Sequence, residues 1–83
     1  MANLNLEIIS VQGVVLKCEC SMAVVPSVDG DLGIMYGHES VIAKLREGQI
    51  TVYDDKQNIV KQIDIKGGYA EMNGAETLSV LVD

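Results

Sequence analysis

An 83-residue chain makes a single domain, residues 1–83, which by surface-to-volume scaling buries only about 60 to 65% of its unfolded surface. Its net charge of −6 comes with only 6 basic residues, scattered along the chain, which is the opposite of the phosphate-neutralising patch of a nucleic-acid binder and argues against direct binding to lipid. No apolar run approaches the roughly 18 residues of a spanning helix, and Met1 to Glu7 has neither a basic nor an apolar leader region, so a cytosolic protein is expected.

The apolar set is 11 Val, 8 Ile and 7 Leu with no Trp or Phe. Nineteen β-branched aliphatics against 5 Ala predict an all-β fold. Leu4, Leu6 and Ile8 alternate with Asn5, Glu7 and Ile9 in a first strand, which Gln12-Gly13 breaks. Val14, Leu16, Cys18, Cys20 and Met22 then share one face, with Lys17, Glu19 and Ser21 on the other. Cysteines two apart on a strand have Cα atoms roughly 6.6 Å apart, near the outer limit of disulfide geometry, so they are expected to be reduced, buried and slow to react. Val24-Val25 closes this region at Pro26, whose missing N–H suits a strand end or edge.

Asp29 to His38 is the least ordinary stretch, with Gly30, Gly33 and Gly37, the acids Asp29 and Asp31, and the only histidine. It predicts a short strand between turns, with acids at one end and His38 at the other. Val41, Ala43 and Leu45 then alternate with Ile42, Lys44 and Arg46, and Glu47-Gly48 turns the chain. Gln49 to Tyr53 and Asn58 to Ile65 form a hairpin through the polar loop Asp54 to Gln57, Gly67-Gly68 and Asn73-Gly74 punctuate again, and Leu78, Val80 and Val82 alternate to the end. About ten short strands result, without helical periodicity. A two-sheet β-sandwich or flattened barrel is predicted, with Ile8, Leu16, Ile50, Ile63 and Val80 in its core.

Groups for chemistry are scarce. One histidine and five serines suggest no nucleophile, base and orienter set, and no cofactor is implied. Zinc at Cys18, Cys20 and His38 would need distant strands to converge on a carboxylate as well, and the simpler reading of the cysteines is as small core residues. The glycine-rich stretch has no Lys-Ser/Thr after it, so a phosphate cradle is weakly supported.

Val24-Val25-Pro26, Asp29-Gly30-Asp31-Leu32-Gly33-Ile34 and Gly37-His38 resemble, in order and spacing, the strand and loop run of the epsilon subunit of F-type ATP synthases. Leu4 to Ser10, Leu45 to Ile50, Gly67 to Glu71 and Leu78 to Asp83 resemble its flanking segments, so the likeness covers essentially the whole chain. Tyr36 stands where the family usually has proline, and Cys18 where a small turn residue is common. The resemblance implies a ten-stranded sandwich in the rotating central stalk, one copy per complex, peripheral on the cytoplasmic side of the inner membrane. Its partners would be the gamma subunit and the c ring of a proton-translocating complex, with no chemistry of its own. Asp31 matches an acidic position facing the ring, His38 lies close to gamma, and Asp29, Gly30, Gly33 and Gly37 shape that surface. Salt screening is expected to weaken such a contact. The family commonly continues beyond the position of Asp83 into a helical hairpin that restrains rotation, so inhibition by that route is not expected of these 83 residues. The alternative is a lipoyl or biotinyl carrier with acceptor Lys56 in its hairpin turn.

Overall fold

The alternation of apolar and polar residues becomes nine strands in a computed structural model that describes residues 3–83. In chain order they are β1 (Leu4–Ser10), β2 (Gly13–Cys20), β3 (Met22–Ser27), β4 (Gly30–Met35), β5 (Ile42–Leu45), β6 (Gly48–Tyr53), β7 (Ile59–Ile65), β8 (Gly68–Asn73) and β9 (Thr77–Val82). No helix occurs among the described residues. The strands form one hydrogen-bonded path, β2-β1-β9-β8-β5-β3-β6-β7, with β4 added to the other edge of β3. The all-β sandwich expectation holds, with nine strands rather than ten. Its two layers are the arms of one curled sheet, and β5 and β3 meet through the single pairing Ser27–Leu45. The first and last strands lie side by side in parallel, Asn5 opposite Thr77 through Ile9 opposite Leu81.

Between the arms lies an aliphatic core in which Leu4, Ile8, Val25, Ile34, Ile50, Leu78 and Val80 are fully buried. Each such side chain is worth roughly 1.5–3 kcal/mol of transfer free energy. Of the five residues expected in this core, Ile8, Ile50 and Val80 are buried; Leu16 and Ile63 are partly buried and pack against it.

Two local irregularities change which side chains reach the core. Ile8 faces Leu16 but Ile9 faces Val14, so Val15 is an extra residue on β2. This bulge turns Val14 to the outer face, where it is 62% exposed, rather than onto the face of Leu16, Cys18 and Cys20. The bend at Ser21 does the same for Met22: it opens β3 opposite Met35 and Tyr53, and the buried neighbour is Ala23. Pro26 is at neither a strand end nor an edge. It lies inside β3, where the strand's second neighbour changes from β6 at Val24 to β5 at Ser27, so its missing N–H interrupts no ladder there.

The double glycine has a clear steric cause. Gly68 adopts φ 140°, and a Cβ there would collide with the Leu81 carbonyl on β9. A bare backbone is needed for β8 and β9 to approach at this corner.

Both cysteines are free thiols on β2, opposite Leu4 and Leu6. Cys20 is buried, and desolvation pushes its pKa up to about 11, helped by the neighbouring Cys18. Cys18 is only half-buried; burial raises its pKa as well, partly opposed by the charge of Lys61.

Candidate functional site

Strand β4 carries or adjoins all six candidate residues. At its start Asp29 donates its backbone N–H to the Ser27 hydroxyl at 3.2 Å, which shapes the β3–β4 turn. Gly30 completes the turn at φ 124°, a conformation that side chains disfavour. Asp31 follows, opposite Pro26.

Three hydrogen bonds tie this hairpin to β5 and the turn that follows. Val28 N–H donates to the Lys44 carbonyl and Arg46 N–H to the Pro26 carbonyl, both at 2.9 Å. The third is between side chains: the Arg46 guanidinium donates to Asp31 Oδ1 at 2.7 Å, an ion pair whose side chains are 47% and 67% exposed respectively. Asp31 therefore presents its charge together with that of Arg46. Alongside lies an open cleft of about 370 Å³, lined in part by Val28, Asp31, Leu32, Val41, Ile42 and Lys44.

The other end of β4 is organised differently. Gly37 turns the chain at φ 85° and its N–H donates to the Ala75 carbonyl at 2.8 Å, which joins this loop to the β8–β9 turn. His38 is partly buried, its N–H bonds the Met35 carbonyl at 3.1 Å, and its Nδ1 lies 2.7 Å from the Glu39 carbonyl, a contact that places the ring proton on Nδ1. Tyr36, in the usual place of proline, is exposed in the same loop.

Asp29, Gly30 and Asp31 thus come together, Gly37 and His38 come together, and the two groups are separated by the length of β4. At about 3.3 Å per residue, six residues of strand hold them roughly 20 Å apart. Gly33 lies between, extended opposite Val24, where a Cβ would make only ordinary contact with Met22 Sδ at 3.5 Å. Arg46 was not singled out from the sequence. Its 15-residue separation from Asp31 left no local signal, and alternation with Val41, Ala43 and Leu45 placed it only on the outer face of a strand, before the Glu47-Gly48 turn.

Chemically, the arrangement offers an exposed ion pair at one end of β4 and a hydrogen-bonded histidine loop at the other. Among the described residues no group of three or more His, Cys, Asp or Glu side chains could hold a metal ion. Lys56 stands exposed in the β6–β7 loop, its N–H donating to Asp54 Oδ1 at 2.9 Å.

Residues 3–83, the whole described chain, match the β-sandwich domain of the ATP synthase delta/epsilon chain. The chain belongs to this family. Among its delta/epsilon relatives, the ATP synthase epsilon chain of Helicobacter acinonychis is 35% identical over 83 residues, all of this chain and 65% of that protein. The epsilon chain of Granulibacter bethesdensis is also 35% identical, with 60% of its length covered, and that of Caulobacter vibrioides is 32% identical, with 93% covered. The chain therefore spans about two thirds of the first of these and nearly all of the last. The delta/epsilon fold is also present in a solved Euglena gracilis mitochondrial ATP synthase assembly of OSCP, F1 and c ring, with TM-score 0.88 at 20% identity over 99% of this chain and 51% of that one. A central stalk and c-ring structure of Tetrahymena thermophila mitochondrial ATP synthase matches at TM-score 0.77 and 13% identity, covering 95% of this chain and 62% of that one.

Proposed function

We propose that this domain is the epsilon-type rotor component of a proton-translocating F-type ATP synthase. It performs no chemistry itself; it binds the gamma subunit and the c ring and couples proton flow to ATP synthesis, as a peripheral subunit on the cytoplasmic side of the inner membrane. The observation that carries this reading is the unbroken family match over residues 3–83, with epsilon chains as its relatives. The β3–β4 hairpin with Asp29, Gly30, Gly33 and Asp31 is assigned to the c ring, and the Gly37-His38 loop to gamma. Two contacts at opposite ends of one rigid strand suit a subunit that must transmit a fixed orientation between two partners, because rim charges supply register more than affinity.

The test is retention on the ring. Asp31→Lys leaves Arg46 facing a second cation and is expected to lower co-purification with c-ring subunits while the isolated domain keeps its far-ultraviolet spectrum. Unchanged retention would remove the assignment of this hairpin to the ring.

A further inference from the structure

The Asp31–Arg46 pair is exposed, and exposed pairs contribute little to folding. Its position gives it another use. The base of the β3–β4 hairpin is already fixed by the two backbone bonds from Val28 and Arg46. The guanidinium is the side chain that reaches from the β5–β6 turn to the acid beyond Gly30. It is also seated: Nη1 lies 3.4 Å from the Glu47 carbonyl, and a Cβ on Gly48 would stand 2.9 Å from Pro26 Cβ and 3.3 Å from Nη1. Gly48 thus leaves room for the guanidinium beside the proline ring, which limits where it can go.

We infer that Arg46 is a positioning residue for the partner-facing hairpin, and that the partner meets an oriented, internally neutralised Asp31–Arg46 pair rather than a free carboxylate. The inference rests on the reading that this hairpin faces the c ring. A carboxylate with one oxygen engaged keeps lone pairs for further donors, and a guanidinium with five N–H groups keeps donors for further acceptors. The pair therefore suits a polar, uncharged or zwitterionic loop carrying amide donors and carbonyl acceptors. The pair itself gives a strongly basic loop no net charge to pull on, which leaves Asp29 as the acid of this hairpin outside the pair.

The experiment measures binding of the full chain to a rotor assembly of gamma and c ring, with circular dichroism and the urea midpoint of each free variant as folding controls. Five chains are compared: wild type, Arg46→Gln, Arg46→Lys, Asp31→Arg, and the charge swap Asp31→Arg with Arg46→Asp. Arg46→Gln and Asp31→Arg are each expected to weaken binding about 10-fold, with Arg46→Lys recovering part of the loss and the swap returning to within about 3-fold of wild type. A swap as weak as Asp31→Arg alone would show that Asp31 acts through its own charge and overturn the inference while leaving the ring-facing assignment in place. If none of the variants alters binding, both fall together.

Discussion

Cys20 shows how one side chain links burial to a measurable pH dependence. Its folded pKa is raised to about 11 from an ordinary value of 9.0, chiefly by desolvation. A raised folded pKa means the native state favours the neutral thiol. The resulting stability is fully present below about pH 9 and is lost as the pH climbs toward about 11, where the unfolded chain ionises first. A difference of about two units corresponds to a few kcal/mol at most. Urea unfolding from pH 7 to 10.5 is expected to show a steeper alkaline loss for wild type than for Cys20→Ala, and Cys20 should label slowly at pH 7 while half-buried Cys18 labels faster. Equal alkaline slopes in the two proteins would refute the burial argument.

At the scale of an element, the β6–β7 hairpin shows the division between a cap and a strained position. Asp54 accepts the N–H groups of Lys56 and Asn58 on Oδ1, both at 2.9 Å, and its own N–H donates to the Asn58 carbonyl at 3.0 Å. The backbone bond from Asn58 leads the causes that hold its carboxyl below the usual range. This closes the loop tightly enough to force Gln57 to φ 66°, the one non-glycine residue with positive φ among those described. Left-handed backbone costs a side-chain-bearing residue about 1–2 kcal/mol. Gln57→Gly relieves that strain and returns part of the gain as unfolded-chain entropy, so a net stabilisation of about 0.5–1 kcal/mol is expected from the urea midpoint. A lower midpoint would mean that the Gln57 side chain contributes contacts outweighing its backbone strain.

Across the whole molecule, the pairing of the first strand with the last decides what can be removed. β9 is bonded to β1 on one edge and β8 on the other, and it buries Leu78 and Val80 completely. Deleting residues 77–83 opens two sheet edges and forfeits about 3–6 kcal/mol of transfer free energy from those two side chains alone. Against a total stability of roughly 5–15 kcal/mol for a domain, the shortened chain is expected to lose its cooperative urea transition. A sharp transition retained without β9 would show that the other eight strands form a self-sufficient sheet.

Much of the fold is legible along the chain because the information is local. Alternation sets which faces of β1, β6 and β9 are apolar, and a glycine or Asx residue marks each turn within a few positions of where the backbone bends. The motif order from Val24 to His38 was enough to point to the family. Other features depend on register between strands far apart in sequence. Whether Val14 faces in or out depends on one extra residue opposite Ile8 and Ile9, and whether Met22 follows the cysteines depends on a bend at Ser21. Pro26 reads as an edge residue until the change of neighbour from β6 to β5 is visible. The distance between Asp31 and His38 was implicit in a strand between two turns, but the partner of Asp31 was not. Arg46 reaches it only because Ser27 pairs with Leu45 at the corner where the two arms of the sheet meet. Alternation and turn chemistry act over a few residues, whereas strand pairing brings together groups 15 residues apart whose side chains carry no mark of each other.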